Sequence, residues 1–555
     1  MNAKITRTLA LVLALVLCLG MLAGCGPKDD PTTTPSTSST PSSEAKPLKN
    51  VDIYPLKSDK TFTVFGGGTD FDGRDAVKMW EKVTGVKIDW VGWDKPTMNN
   101  ALATDSFTDA GMHTTRLTKA QMYEYGKEGK FIDFMKYLNI MPNVKAMFEK
   151  YPESLEIVQN EDGTVYSLPQ VKYNSGASAS YALVFRGDML KAAGWDKAPA
   201  TTDEFLECII DIQNHFGKDD AEFRAFDAYR ANYMAWNSDT GSSNMMHAFF
   251  PSFGKLDSTA LSVGSDGKVV FGAYTDQYKQ TLKYLNQLWN SGAMSQDVYT
   301  EDGTVSQALI AQNKIASGLN MVNLTAKQFE GEKIDVVVCE PLTSPYNSEK
   351  NTYMSEGAGV TFAWQCNMIN AKCSDIETLC KWMDSFYAVE ENPLNEEGTI
   401  WGLSFGYGEL NKDWKRDEKA NTYEILPHEG YDSGAVWRSK NCISTAPNFY
   451  FPYQMGDGSW ASLKSLEIQK NITPYVVEGF NISKLSLTED ESDEYAMIWT
   501  GIDTYLTEMT AQFITGRKNI DSEWKDFQKQ LKVLGVEDLI DIYQTAYNRY
   551  IQSKK

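Results

Sequence analysis

Short runs of β-branched and aromatic residues alternate with amphipathic helical patterns along most of this chain. The run Thr61–Phe65 predicts a strand that ends at consecutive glycines. A helical stripe follows and stops at Gly85, and apolar residues then alternate over Val86–Trp90, which predicts a second strand. Strand, helix and strand joined by short connections are typical of a parallel α/β sheet.

Helical periodicity continues to the C-terminal region. Two predicted helices start at capping boxes, Thr201 with Glu204 and Thr488 with Glu491. Apolar stripes predict further helices over residues 276–290, 374–387 and 524–534. No internal repeat of solenoid length is visible. The pattern therefore predicts the α/β class without choosing among α/β folds.

The first 25 residues have the pattern of an export signal. A short basic stretch precedes an uncharged run from Leu9 to Leu22. This run is too short for a stable transmembrane helix, which needs about 20 apolar residues. The order Leu22-Ala23-Gly24-Cys25 resembles a bacterial lipobox, which implies a signal peptide over residues 1–24 and lipidation of Cys25. An ordinary secreted protein is the alternative.

Composition separates a linker from an acidic globular body. Residues 25–50 comprise Cys25 and a stretch rich in Pro, Ser and Thr, which predicts a disordered linker. The remaining chain is long enough for two or three domains. With 74 acidic and 53 basic side chains, the whole chain has a formal net charge of −21. A field of this sign repels phosphate backbones, so we expect no nucleic-acid partner.

Signatures of catalysis and metal binding are missing from the sequence. The four histidines show no ligand spacing, and no H-E-x-x-H, G-x-S-x-G or Walker motif occurs. Residues 70–75 hint at a calcium loop but lack the spacing of an EF-hand, which favours a plain turn. We therefore expect no catalytic residue, no metal and no cofactor. Two acids facing each other across a cleft would instead serve a glycosidase.

Six cysteines remain besides Cys18 and Cys25: Cys208, Cys339, Cys366, Cys373, Cys380 and Cys442. None lies in a C-x-x-C motif. Buried free thiols are expected, and one or two disulfides are the alternative.

Aromatic residues make up 12% of the chain, and several lie in loop-like stretches. Sugars present apolar faces and rings of hydroxyls, which aromatic platforms edged by polar side chains bind well. On this basis the candidate ligand-binding residues are Asp70, Trp93, Tyr173, Trp236, Asn237, Trp364, Trp401 and Trp460. For any single tryptophan, packing in a core is the alternative interpretation.

Several segments, taken in order, resemble the family 1 extracellular solute-binding proteins, in particular the large lipoprotein branch of Gram-positive bacteria. Besides the lipobox, the matching segments include Gly129–Asp133, Asp162–Pro169, Phe185–Leu190, Pro199–Phe205 and Asp266–Gly272. Each is short, but together they cover most of the chain after the linker.

The resemblance implies a type II periplasmic-binding-protein fold of the α/β class, with two lobes, an interlobe cleft and hinge crossovers. The crossovers are expected near residues 173–182 and 357–362 and after Trp401. The first lobe would comprise residues 51–177 and about 358–410. The second lobe would comprise residues 178–357 and about 411–555, including the C-terminal helices.

Many members of this family carry an aspartate-rich calcium loop after the helix that here begins near Thr201. Residues 216–223 of this chain lack the alternating aspartates. The resemblance therefore does not extend to calcium.

The resemblance also implies a function. It predicts a monomeric, lipid-anchored receptor on the extracytoplasmic face of the cell membrane, which closes on a carbohydrate, expected to be an oligosaccharide, and delivers it to an ABC permease. A peptide or another polar solute is the alternative ligand. A cell-surface glycoside hydrolase and a surface adhesin are the alternatives from other functional classes.

Overall fold

The computed structural model describes most of the chain after the linker. The described residues are 49–66, 71–114, 117–174, 182–227, 244–297, 299–301, 303–319, 335–354, 359–399, 406–431, 434–443, 448–449, 454–455 and 460–555. Within these ranges no helix combines the length and the apolar character that a membrane crossing requires.

The strands are short. They are β1 Thr61–Phe65, β2 Lys87–Val91, β3 Ala110–Thr114, β4 Gln170–Asn174, β5 Leu183–Arg186, β6 Arg224–Asp227, β7 Leu261–Val263, β8 Val269–Phe271, β9 Ile315–Leu319, β10 Val336–Val338, β11 Thr352–Met354, β12 Gly359–Ala363, β13 Cys366–Ile369, β14 Trp414–Asp417, β15 Thr422–Ile425, β16 Asn448–Phe449, β17 Gln454–Met455 and β18 Val476–Glu478.

The helices surround these strands. They are α1 Asp75–Thr84, α2 Lys95–Ala103, α3 Lys119–Lys127, α4 Pro142–Lys150, α5 Pro152–Val158, α6 Gly187–Ala192, α7 Thr202–Phe216, α8 Asn244–Phe249, α9 Asp276–Asn290, α10 Gly303–Ala311, α11 Ile376–Ser385, α12 Gly434–Asn441, α13 Trp460–Asn471, α14 Glu489–Ile514, α15 Ile520–Val533 and α16 Val536–Ser553.

The first sheet has the strand order β13-β3-β1-β2, and its three N-terminal strands are parallel. Side chains alternate between its faces, so Phe62 and Val64 enter one core while Phe65 enters a smaller core on the opposite face. The predicted strand–helix–strand start is confirmed, with Gly85 in a left-handed conformation at the end of α1.

The second sheet has the order β10-β5-β9-β6 and its own core. β6 and β9 are parallel, and β5 runs antiparallel to β9, so the carboxyl ends of β6 and β9 lie with the start of β5. The long helices α9, α14, α15 and α16 pack on this core. The two sheets thus organise separate lobes.

A third sheet has the strand order β12-β4-β16 and joins segments that are far apart in the sequence. β4 pairs antiparallel with β12 and parallel with β16. β4 and β12 lie near the first two crossovers that the family resemblance implies, and we propose that β16 marks the third, which is expected after Trp401.

The helix starts follow the predicted caps, with one difference. Thr488 and Glu491 form a complete capping box at α14. At α7 the Thr201 hydroxyl accepts from the amide of Glu204, but the Glu204 carboxylate accepts from the amide of Ala200. The Glu204 carboxylate therefore accepts a hydrogen bond from the amide of the residue that precedes the N-cap, and not from the N-cap amide itself.

Residues 406–431 and 434–443 pack against the first core, whereas the sequence assigned everything from about residue 411 to the second lobe. Trp414, Tyr423 and Trp437 are buried in this core together with Cys442. Aromatic burial of this size outweighs chain order, so we propose that the first lobe extends to the crossover at β16.

A buried polar network fixes the start of the folded body to the first core. The Asn50 side chain donates to Asn143 Oδ1 (2.9 Å) and to the carbonyl of Asn392 (2.6 Å). Asn143 donates to the wholly buried carboxylate of Asp384, which also accepts from the amide of Val144. Asp384 thus closes the N-terminus of α4.

All six cysteines of the body are buried free thiols, as the sequence analysis expected. Burial raises their pKa, in the case of Cys366 to about 12. A chain that starts at residue 26 is therefore expected to show no thiol reactive toward Ellman's reagent when folded and six after unfolding in guanidinium. Reductant should leave its melting temperature unchanged. Fewer than six reactive thiols in the unfolded chain would reveal a disulfide.

Candidate functional site

The carboxyl ends of β1, β2 and β3 share one edge of the first sheet. In open α/β sheets ligands bind outside this edge, because the loops that follow the strands converge there. β13 reaches the same edge, since Cys366 pairs with Thr114 at the end of β3. Trp364 lies two residues before Cys366 and is therefore placed at the edge where a solute is expected.

A cavity of about 330 Å³ lies beside this edge, between the two lobes. First-lobe residues that line it include Thr118, Lys119, Tyr123, Asn160 and Trp364. Second-lobe residues that line it include Ser258, Ser483, Ser492, Tyr495, Trp499 and Tyr543. The lining combines flat rings with hydroxyl, amide and ammonium groups, which suits a polar molecule that has apolar faces.

Trp364 is held in one orientation. Its indole N–H donates to the carbonyl of Leu117 (2.9 Å), and its partly buried ring packs against both first-lobe cores. The thiol of Cys366 donates to the same carbonyl (3.3 Å). The ring is therefore part of a rigid wall and would not have to be ordered when a solute arrives.

Aromatic side chains also form the second-lobe wall. Tyr495 stacks on Trp499 with ring centroids 5.7 Å apart and an interplanar angle of 13°. Across the cavity, burial and the nearby Asp162 carboxylate raise the pKa of Tyr123 to about 12, so its hydroxyl stays protonated and donates to that carboxylate.

Lys119 places a buried amine where the lobes meet. Its Nζ donates to the carbonyl of Glu156 (3.3 Å), the carbonyl of Ser483 (3.5 Å) and the hydroxyl of Ser486 (3.2 Å). Burial lowers the pKa of Lys119 to about 7, and the nearby Glu156 carboxylate opposes this shift. The hydroxyl of Ser492, also in the cavity wall, is buried without a hydrogen-bond partner among the described residues.

Charged side chains brace the same interface. Arg549 of α16 lies 3.1 Å from Glu161 of the first lobe and also pairs with Glu491 at the start of α14. Lys554 pairs with Glu156, and Lys127 pairs with Glu489. The two lobes are thus linked by side chains as well as by the crossover strands.

The predicted ligand-binding residues fall into four groups. Trp364 lines the interlobe cavity. Trp93 follows β2, but its ring stacks on Phe65 at 5.6 Å and contacts Phe107, so it packs into the smaller first-lobe core.

The backbone of Tyr173 pairs with Val360 in the crossover sheet, and Trp460 begins α13. The predicted residues outside the described ranges are Cys25, Asp70, Trp236, Asn237 and Trp401.

Sequence reasoning missed most of the cavity wall. Tyr495 and Trp499 have the spacing of a helix core stripe, and nothing in the sequence distinguishes them from packing residues. In the sequence, Lys119 has the pattern of a solvent-exposed residue at the start of a helix. Only the long-range packing of α3 against α14 makes these residues part of one site.

Comparisons with known proteins give two curated relatives. No protein-family model matches the chain. The chain is 25% identical over 543 residues to the fructooligosaccharide ABC transporter substrate-binding protein FusA of Streptococcus pneumoniae, covering 93% of this chain and 95% of that protein. It is 22% identical over 360 residues to the polygalacturonan/rhamnogalacturonan-binding protein YtcQ of Bacillus subtilis, covering 62% and 67% of the two chains.

Solved structures agree with this similarity. FusA from S. pneumoniae in complex with kestose superposes with a TM-score of 0.70 at 23% identity, covering 89% of this chain and 100% of that chain. An EF-hand mutant of FusA gives a TM-score of 0.69 at 22% identity, with the same coverage. The alginate-binding protein AlgQ2, solved without calcium ion, gives 0.67 at 17% identity over 88% and 99%. The two-lobed α/β fold implied by the family resemblance is confirmed.

Proposed function

We propose, from the premise that this chain is an extracellular solute-binding protein of the kind that serves sugar ABC importers, that it captures an oligosaccharide between its lobes and delivers it to a membrane permease. The observation that carries this proposal is the similarity to FusA, which extends over 93% of the chain. FusA is described as a fructooligosaccharide-binding component of an ABC transporter. The walls of the interlobe cavity add aromatic rings and hydrogen-bonding groups of the type that sugars require.

The mechanism is closure of the two lobes. A solute that contacts both lobes favours the arrangement in which those contacts exist together, and it shifts the equilibrium by its difference in affinity for the open and closed forms. Trp364 is the first-lobe platform in this proposal. Trp236 and Asn237 supply second-lobe contacts, and Asp70, Trp93, Tyr173, Trp401 and Trp460 are the other candidates. Capture requires no bond to be made or broken, so no catalytic residue is assigned.

In this proposal the receptor lies outside the cytoplasm, because its first 25 residues have the pattern of a lipoprotein export signal. Cleavage before Cys25 and lipidation of its thiol would anchor the protein to the outer face of the cell membrane. A linker over residues 26–49, which ends before the buried Asn50, would span on the order of 70 Å if extended at roughly 3 Å per residue. The body would then reach the permease as a lipid-anchored monomer.

A thermal-shift screen of the chain from residue 26 tests the ligand class. The panel contains kestose and longer fructooligosaccharides, oligogalacturonides, alginate oligosaccharides and short peptides. A ligand at 100 times its dissociation constant stabilises the folded state by about 2.7 kcal/mol. We expect this response from at least one oligosaccharide. A response to peptides alone would replace the sugar assignment and leave the receptor assignment in place.

Prolonged incubation separates the receptor from a glycosidase. The oligosaccharide that gives the thermal shift is incubated with stoichiometric protein and then analysed by chromatography. We expect it to be recovered intact. Cleavage products would identify a surface glycoside hydrolase instead.

A further inference from the structure

The loop between α7 and β6 occupies the position at which many members of the resembled family carry a calcium loop. Of the similar structures, one is an EF-hand mutant of FusA and another is AlgQ2 without calcium ion. In this chain the loop spans residues 217–223 and carries three acidic side chains, Asp219, Asp220 and Glu222. The contacts of these carboxylates show whether the loop could hold a metal ion.

An ammonium group already lies between the carboxylates of this loop. Lys314 Nζ is 2.6 Å from Glu222 Oε2 and 3.2 Å from Asp220 Oδ2. The hydrogen bond with Glu222 is the largest cause that raises the pKa of Lys314, so the amine is charged across the physiological range. The side chain of Lys314 is 22% exposed and that of Asp220 is 35% exposed, whereas Glu222 is 67% exposed and holds the ammonium from the solvent side.

The backbone directs Lys314 toward the loop. The turn after α10 places Asn313 at a positive φ of 60°, a conformation that asparagine tolerates well. The Asn313 side chain accepts from Arg186 (2.7 Å), which fixes the turn to β5. The amide of Arg224 then donates to the carbonyl of Lys314 (2.9 Å). Lys314 is therefore fixed beside the start of β6.

The loop is also closed by contacts that need no cation. Phe216 stacks on Phe223 with ring centroids 5.3 Å apart. The Gln213 side chain donates to the carbonyl of Phe223 (3.1 Å) and accepts from the amide of Ala225 (2.9 Å). Asp220 Oδ1 accepts from the amide of Glu222 (3.0 Å), which forms a tight turn.

This arrangement does not fit calcium. Calcium takes six to eight oxygen ligands, several of them carboxylate. In this loop two carboxylates are already paired with Lys314, whose positive charge would repel a metal ion at the same position. Among the described ranges of the chain, no group of three or more potential metal ligands occurs.

We propose that Lys314 is the built-in cation of the α7–β6 loop and supplies the positive charge that a metal ion would supply in an EF-hand. The ammonium ties the loop to the start of β9 and thereby to the second-lobe sheet. The loop then keeps its conformation at any calcium concentration. Removal of the ammonium leaves the acidic loop without its counter-charge and opens it to divalent cations.

Melting temperatures in calcium and in chelator test this inference independently of any sugar. The chain from residue 26 is melted in 5 mM CaCl₂ and in 1 mM EDTA, and its calcium content after dialysis is measured. We expect equal melting temperatures and less than stoichiometric calcium. Lys314→Met keeps the methylene stem and removes the charge. We expect it to melt lower than wild type in EDTA and to recover about 2–4 °C in calcium, the shift typical of about 1 kcal/mol in a large domain.

Two matched variants keep the test decisive. Lys255→Met removes an exposed ammonium that pairs with Glu349 in the same lobe, and it should melt alike in calcium and in EDTA. Glu222→Gln in the Lys314→Met background should abolish the recovery in calcium, and Lys314→Gln replaces the single variant if that fails to fold. A wild-type melting temperature that rises in calcium, or a Lys314→Met variant that melts like wild type in EDTA, would overturn the inference.

Discussion

Replacing Trp364 with alanine is expected to weaken oligosaccharide binding at least about tenfold, which corresponds to 1.4 kcal/mol. The ring is fixed by the bond from its indole to Leu117 and lies in the wall of the interlobe cavity. Its removal deletes a preordered stacking surface, so the loss falls on affinity for the solute. Isothermal titration with the oligosaccharide identified by the thermal-shift screen measures the effect.

Two companion variants separate stacking from folding. Trp364→Phe keeps a flat ring but loses the hydrogen bond to Leu117, and it should retain most of the affinity. Tyr346→Ala removes an exposed second-lobe ring outside the cavity and should bind like wild type. All three are checked by circular dichroism. Wild-type affinity in both Trp364→Ala and Trp236→Ala would discard the proposed aromatic site.

Replacing Asp384 with alanine is expected to destabilise the first lobe by about 3–5 kcal/mol at pH 7.5, because buried donors lose their acceptor. The amides of Asn143 and Val144 and the side chain of Asn143 all donate to this carboxylate. Urea unfolding followed by tryptophan fluorescence gives the free energy. Asp375→Ala removes a partly exposed capping carboxylate at the start of the same helix, and its expected cost is only about 1 kcal/mol. Equal costs for the two variants would contradict the role assigned to the buried network.

The same carboxyl group gives the stability a defined pH dependence. Burial raises the pKa of Asp384 from 3.8 to about 7, while hydrogen bonds from Val144 and Asn143 act in the opposite direction. Between these values the folded chain holds a proton that the unfolded chain has released, so the contribution of Asp384 is largest in acid and falls as the pH rises to about 7. The unfolding free energy of wild type relative to Asp384→Asn should therefore decrease between pH 4.5 and pH 7.5. A constant difference would show that the carboxyl keeps its ordinary pKa.

Local patterns predicted much of the fold because local interactions decide helix and strand boundaries. The β-branched and aromatic run of β1 and the capping box at Thr488 are local signals, and both elements appear as predicted. Residues 411–431 and 434–443 were assigned to the second lobe although they pack on the first core, because their partners lie far away in sequence. No local signal records that Trp414 and Trp437 bury against a core built mainly from residues 54–171.

The candidate site was harder to predict for the same physical reason. Trp93 and Trp364 looked alike in the sequence, yet only Trp364 lines the interlobe cavity, whereas Trp93 packs against Phe65. Lys119 and Tyr495 lie 376 residues apart in the sequence, a separation on the order of the length of two domains. They lie close together only because the two lobes pack against each other, and the hydrophobic periodicity of the sequence carries no information about that packing.

The final helix, α16, is built into the second core, yet its last turns contact the first lobe through Arg549, Tyr550 and Lys554. The C-terminal part of α16 therefore lies against the first lobe. A dye or spin label at Lys555 would stand beside this junction and register relative motion of the lobes, with the body's own thiols shielded from labelling. An affinity tag in the same place would crowd the junction, which makes the linker end the better position for purification handles.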